Sequence, residues 1–409
     1  MGERVPILRP FCAVRPAPGM AAGVAAVPYD VVSASEARAL AAGNPLSFLR
    51  VSRPELQMAD GVNPYADAVY ELAAANYARL KVVAALQTEV APRLYVYSLR
   101  MGTHEQTGIC GCASVEEYDR GIVRKHERTR KDKEDDRTRH IVRLRAQTGP
   151  VFLAYRDQAA IDGIVEQVRQ SKPVYDIPAP DGVQHHIWVA SENATQQLAA
   201  ELLRVPLFYI ADGHHRAASA SRARQQLAPG DGASGEAGFF LAVAFPAGQL
   251  QILPHNRVVH DLAGRTPEEF VALVRRHCDW RDAGDATPVR KGEVGVYLQG
   301  RWHTLVLPPP ATPGPVAALD AERLQRSVLE PVLGIGDPRT DKRIDFVGGI
   351  RGTAELERWV DSGRAAAAFS LYPVAMQELM AVSDAGELMP PKSTWFEPKL
   401  RDGLLIHEI

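Results

Sequence analysis

Short runs of β-branched and aromatic residues, each followed by a stretch of helical periodicity, constrain this chain most. VFLAY (151–155), HHIWVA (185–190), LFYI (207–210) and FFLAVAF (239–245) read as buried strands, and IDGIVEQVRQ and residues 194–203 as helices. Strands alternating with helices predict an α/β or α+β fold, a mixed central sheet flanked by helices. LYVYSL (94–99) reads as a strand paired across 101–106 with GICGCASV. Upstream, SASEARALAAG reads as a helix capped by Ser33 or Ser35 and ended at Gly43, and 63–87 as a longer helix with Asn63 at its N-cap. Beyond Pro254 the pattern is less regular, with the helix TPEEFVALVRRH and strands near 295–298 and 304–307.

With 409 residues the chain exceeds one ordinary core, so two units are expected: 1–255, with an N-terminal elaboration, and 256–409 as an α+β unit packed on it. A composition of 46% hydrophobic and 23% charged residues excludes a disordered or collagen-like chain. The four cysteines, Cys12, Cys110, Cys112 and Cys278, are too few for a disulfide scaffold and fit a reducing compartment. The stretch MGERVPILRPFCAVRP places charges and prolines where a signal peptide needs apolar residues, and no run approaches a membrane span; a cytoplasmic location with no membrane partner follows. A homo-oligomer stays open.

The formal net charge of -2 conceals an uneven distribution. From Arg124 to Arg145, RKHERTRKDKEDDRTRHIVRLR carries 10 Lys/Arg against 5 Asp/Glu, an excess of +5 that leaves -7 elsewhere. Glu127 with Lys131 and Asp136 with His140 have the spacing of helical neighbours, so spacing alone favours a solvated helix over a ligand site. A nucleic-acid partner is disfavoured, because five acids interrupt the basic cluster and no helix-turn-helix is evident.

LFYIADGHHRAASASRARQQL (207–227) is the sharpest local signal: an apolar strand breaks at Asp212-Gly213 and enters a helix through His214, His215 and Arg216. A helix that starts at such a turn offers unpaired backbone N–H groups and its positive dipole end, which together hold a phosphate. Gly213 allows a positive φ, Asp212 can cap the helix, and Ala217, Ala218 and Ala220 let the helix approach the sheet. Adjacent histidines point about 100° apart on a helix, which argues against one shared metal ion. P-loop, dinucleotide-binding, zincin and nucleophile-elbow motifs are missing. Cys110-Gly111-Cys112 lacks the two-residue spacing of zinc and redox pairs and reads as buried strand residues.

IADGHHRAASA, with HERTR, KEDDRTRH, PYDVVS and MPPKSTWFEPKL, resembles a bacterial family catalogued as domain of unknown function 1015 over nearly the whole chain. Its ADGHHR element is similar to that of the free L-serine kinases of the ParB and sulfiredoxin superfamily. The resemblance implies a ParB/sulfiredoxin-like catalytic core and transfer of a phosphoryl group from ATP or ADP, with Mg2+, to free L-serine, giving O-phospho-L-serine. A nucleotide-binding DNA regulator and a metal-dependent phosphohydrolase are the alternatives. By this resemblance Glu127 accepts the serine hydroxyl proton, and Gly213, His214, His215 and Arg216 hold the donor's phosphates. Asp212 caps the turn or meets Mg2+. His126, Arg128, Thr129, Arg130, Lys133 and Arg137 add phosphate contacts or positive charge. Tyr29, Asp30, His255 and Arg257 are candidates for the ammonium and carboxylate of the amino acid. About 85 residues separate the two matching motifs, more than in the kinases.

Overall fold

Each apolar run named above becomes a strand in the computed structural model, which describes residues 7–59, 61–227 and 235–409; the first six residues of the stretch examined for a signal peptide lie outside it. The chain divides into two units, one of residues 1–125, 129–250 and 398–409, the other of 126–128 and 251–397.

The first unit carries a nine-stranded sheet built from β1 (Leu8–Arg9), β2 (Tyr95–Met101), β3 (His104–Ser114), β4 (Val123–Arg124), β5 (Val151–Tyr155), β6 (Tyr175–Pro178), β7 (Val183–Val189), β8 (Phe208–Asp212) and β9 (Phe239–Pro246). The strand order is β4-β8-β5-β9-β3-β2-β7-β6, with β1 on β3. β4 with β8 and β5 with β9 are parallel and the other pairs antiparallel, so the sheet is mixed as expected. All residues of β5 and β9 are buried, which accounts for their unbroken apolar sequences. The helices are α1 (Asp67–Val83), α2 (Lys131–Leu144), α3 (Ala159–Arg169), α4 (Glu192–Leu202) and α5 (His214–Leu227). Ile161, Leu198 and Ala217 from three of them join Leu153, Phe208 and Phe240 of the sheet in one core. Fully burying a side chain the size of Leu or Phe is worth about 1.5–3 kcal/mol. A second apolar cluster gathers Val24, Phe48, Val51, Tyr77, Leu144 and Ile406.

Two sequence expectations shift. The long helix begins at Asp67, four residues late, because Asn63 uses its side-chain oxygen to accept from the Tyr65 amide at 3.0 Å in a turn of its own. The charged segment forms a helix only from Lys131, so Glu127 lies outside it and has no helical relation to Lys131. Nor is that helix a solvated one. α2 packs between α1 and α5, and Asp136 and His140 are buried. Asp136 accepts from the Tyr70 hydroxyl at 2.8 Å, and His140 Nε2 lies 2.9 Å from the Val51 carbonyl oxygen. Burial, with Arg137 nearby, pushes the His140 pKa down to about 4, so it is neutral and does not pair with Asp136 as an ion. Cys110 and Cys112 are buried in β3 as free thiols, and burial pushes both thiols up, away from the reactive thiolate.

The second unit has a six-stranded, wholly antiparallel sheet of β10 (His255–Val259), β11 (Asp279–Arg281), β12 (Glu293–Leu298), β13 (Arg301–Val306), β14 (Ile344–Gly348) and β15 (Ala367–Leu371), in the order β11-β13-β12-β15-β10-β14. Its core includes Val259, Phe270, Val296, Leu329 and Phe369. The predicted helix there runs Pro267–Val274, opened by a reciprocal capping box between Thr266 and Glu269. Among the described residues no helix is long and apolar enough to cross a membrane.

Candidate functional site

Four buried residues, Phe208 to Ala211, carry β8 up to Asp212, and the register against β5 shifts between Ile210 and Asp212 as the strand leaves the ladder. Gly213 follows with φ +90°, a conformation costly for a residue with a Cβ. The chain then enters α5 at His214, and the Ala217 amide donates to the Gly213 carbonyl oxygen at 3.1 Å as an early helical bond. Ala217, Ala218 and Ala220 are buried, so the small residues let the helix lie close, as their sequence suggested.

Asp212 is held at both carboxylate oxygens. Oδ1 accepts from the Gly213 amide at 2.7 Å and Oδ2 from the Lys399 ammonium at 2.7 Å. Burial alone would raise its pKa, but the Lys399 ammonium and the Arg216 guanidinium hold it well below the usual carboxylate range. Asp212 is thus an anion already neutralised by an ammonium, an arrangement that does not suit a divalent-cation ligand unless Lys399 withdraws.

His214 is buried at the helix start, and His215 Nε2 accepts from the Arg130 amide at 3.0 Å, which requires its proton to sit on Nδ1. Arg216 donates through Nη1 to the Pro150 carbonyl oxygen at 2.7 Å and through Nη2 to Asp30 Oδ1 at 3.2 Å. The Tyr29 ring lies beneath two guanidinium groups, Arg137 at 4.1 Å and Arg216 at 5.9 Å. Arg137 donates to Asp136 Oδ2 at 2.9 Å and to the Ser52 carbonyl oxygen at 3.2 Å. Lys399, Asp212, Arg216, Asp30, Tyr29, Arg137 and Asp136 therefore form one chain of alternating charge and ring around the turn.

The other expected residues have contacts of their own. Arg130 is exposed and pairs with Asp132, Lys133 Nζ lies 3.4 Å from the Tyr65 hydroxyl, and the Thr129 hydroxyl donates to Glu134. His126, Glu127 and Arg128 group with the second unit, where the His126 carbonyl oxygen accepts from the Met389 amide at 2.8 Å. His126 is buried, Glu127 half-buried and Arg128 exposed. His255 and Arg257 sit side by side on one face of β10, both buried. His255 Nδ1 lies 3.1 Å from the Thr394 carbonyl oxygen, and Arg257 donates to the carbonyl oxygens of His255 and Pro391. Burial pushes the Arg257 pKa down to about 9. The PPKST segment, in which Ser393 donates to the Pro390 carbonyl oxygen at 2.7 Å, thus lies against these two residues.

Lys399 and Asp402 were not singled out from the sequence. The available signal was the MPPKSTWFEPKL run, which contains Lys399 and ends two residues before Asp402. Asp402 is buried, and burial with the negative charge of Asp30 pushes its pKa up to about 7 against the pull of Arg216, Arg137 and Arg401. It lines a cavity of about 40 Å³ with Tyr29, Ser52, Arg137, Gly149 and Arg216.

The sequence model of a family described as protein of unknown function (DUF1015) matches residues 8–322. No curated protein matches the chain. Similar solved structures include a mutant free serine kinase in complex with ADP, 12% identical with a TM-score of 0.36, covering 70% of this chain and 87% of that one. A conserved hypothetical protein from Pyrococcus furiosus is 12% identical with a TM-score of 0.36, over 72% of this chain and 94% of the other. SbnI with a C-terminal truncation, from Staphylococcus aureus, is 12% identical with a TM-score of 0.37, over 70% and 82%.

Proposed function

The chain belongs to the DUF1015 family, and for it we propose a small-molecule kinase that transfers a phosphoryl group from ATP or ADP to the hydroxyl of free L-serine, releasing O-phospho-L-serine. The observation that carries this reading is the strand-turn-helix at Asp212-Gly213-His214, where a buried strand delivers a helix N-terminus through a glycine at φ +90°. Such a terminus suits phosphate oxygens through its backbone N–H groups and dipole. The likeness of Asp212 to Arg216 and of the His126-Glu127 pair to the pattern of the free L-serine kinases supports the choice of acceptor.

In this reading the amides after Gly213 and the His214 side chain receive the donor's phosphates. His215 and Arg216 brace the turn through Arg130, Pro150 and Asp30. Arg128, Thr129, Arg130, Lys133 and Arg137 contribute positive or donor character, and His126 steadies the segment that carries Glu127. Glu127 accepts the proton as the serine oxygen attacks phosphorus and the nucleotide's bridging oxygen leaves. Tyr29 and Asp30, with His255 and Arg257, recognise the charged ends of the amino acid. Phosphoryl transfer needs mainly alignment and charge neutralisation, which these groups supply. A nucleotide donor would bring Mg2+ on its own phosphates.

The test incubates purified protein with Mg2+ and ATP or ADP, across a panel of hydroxylated amino acids. O-phospho-L-serine is the expected product, and no phosphorylated serine with either donor would overturn the reading.

A further inference from the structure

Asp402 precedes Gly403 in the C-terminal segment that returns to the first unit, and its backbone pairs with Ala26 in both directions. The residue is 2% exposed, yet Oδ1 of its carboxyl has no hydrogen-bond partner among the described residues. A buried carboxyl normally has donors, because an unpaired one retains the full cost of losing water. The neighbouring guanidinium groups do not supply them. Arg137 donates to Asp136 and Ser52, Arg216 to Pro150 and Asp30, and Arg401 to His185 and Asp181, while Arg216 Nε and Arg401 Nη1 keep buried N–H groups with no partner among the described residues. Gly149 presses on the carboxyl from the other side, since a Cβ there would lie 2.7 Å from Asp402 Oδ1.

The charges facing this pocket are nearly balanced without Asp402. Arg137 and Arg216 are offset by Asp136 and Asp30, Arg401 by Asp181, and Lys399 by Asp212. An ionised Asp402 is then one negative charge in excess, in a cavity of about 40 Å³. That volume takes roughly three water-sized groups, on the measure by which about 10–15 Å³ holds one water. It suits the head of a small molecule and excludes a nucleobase.

We propose that the cavity beside Asp402 binds a primary ammonium group, with Asp402 as its carboxylate partner. The inference deepens the kinase reading and rests on it for the identity of the amine, because the amino-acid acceptor carries such a group. Asp402 acts beside Asp30, whose Oδ1 is shared with Arg216. The ammonium can come from an amino acid or from a simple amine, and the two guanidinium groups nearby favour the molecule that also carries a carboxylate.

Ligand binding is read by calorimetry on the full chain without any nucleotide, so that phosphoryl transfer plays no part. The probes are glycine and L-serine, then methylammonium and ethanolamine, which lack the carboxylate, and glycolate, which lacks the amine. Amino acids are expected to bind best, amines more weakly and glycolate least. Since an ammonium pairs with the ionised carboxyl, binding below neutral pH releases protons, seen as a heat that varies with the buffer's ionisation enthalpy. Asp402→Asn should weaken L-serine binding at least tenfold and abolish the proton release. Gly149→Ala, which crowds the carboxyl without removing it, should also weaken binding. Glycolate binding as well as glycine, undiminished affinity in Asp402→Asn, or no binding of any amine by the wild type would each overturn the assignment. Amino-acid binding lost in Asp402→Asn, without phosphorylated product from the wild type, would leave the ammonium site standing and remove the kinase reading alone.

Discussion

Lys399 reaches back across 187 residues to place its ammonium 2.7 Å from Oδ2 of Asp212, at the point where the β8 strand gives way to the Asp212-Gly213 turn. The pair is largely shielded, with side-chain exposures of 12% and 28%. Its partner bond, from the Gly213 amide to Oδ1, fixes the carboxylate plane and leaves little freedom for the residue that starts the turn.

Removing Lys399 should therefore unsettle the turn. Lys399→Met leaves a buried carboxylate without its cation, a change that costs about 3–5 kcal/mol when a pair is fully buried, and somewhat less here. Asp212 is depressed in the folded protein, so its stabilising contribution is present above the unfolded carboxyl range and fades as pH falls through the folded value. The variant should lose stability in urea at pH 7, and should lose less at pH 3. Equal losses at both pH values would detach Lys399 from Asp212 ionisation.

Asp402 has the opposite sign. Its pKa is about 7 in the folded chain against about 3.9 in an unfolded one, so the native state keeps a proton that the unfolded state releases. Stability should fall as pH rises from about 4 to 7, by up to roughly 1.4 kcal/mol per pH unit. Asp402→Asn should remove that slope, and its advantage over the parent should grow across this window and level off above it. Denaturation midpoints at each pH measure both curves.

At Gly213 a side chain meets an unfavourable backbone, since φ is +90°. Gly213→Ala should cost about 1–2 kcal/mol, and a lower melting temperature would report it. In the proposed function the same change should weaken nucleotide binding as well, because the turn that presents the amides must move away from φ +90°.

Glu127→Gln separates binding from chemistry. A general base contributes about 100- to 10,000-fold, so turnover should fall at least 100-fold while nucleotide affinity stays within about twofold. Unchanged turnover would remove Glu127 from the proton-accepting role.

Much of the sheet was legible because its central strands are buried on both faces, and burial writes itself as an unbroken apolar run in VFLAY and FFLAVAF. The turn at Asp212-Gly213 was legible for a related reason: glycine at a strand's end before alanines has few other uses. Asp136 and His140 misled, because a polar residue facing another helix looks the same in sequence as one facing water, and only Tyr70 and the Val51 carbonyl oxygen distinguish the two. Asn63 misled in the same way, having a turn to make before the helix starts. Lys399 lies in the MPPKSTWFEPKL run, but nothing local to it or to Asp402 names their partners, which are set by long-range contacts, and the two-residue strand His407–Glu408 that pairs with Ala146–Gln147 is too short to have a period.

The late position of residues 398–409 also orders events in time. A nascent chain emerging at about 5–20 residues per second exposes the Asp212 turn roughly 10–40 seconds before Lys399 arrives. During that interval Asp212 lacks its Lys399 partner, the Ala146–Gln147 strand has no partner, and the carboxyl later buried as Asp402 has not been made. The first unit therefore starts folding early and finishes last, with the whole of 251–397 synthesised in between.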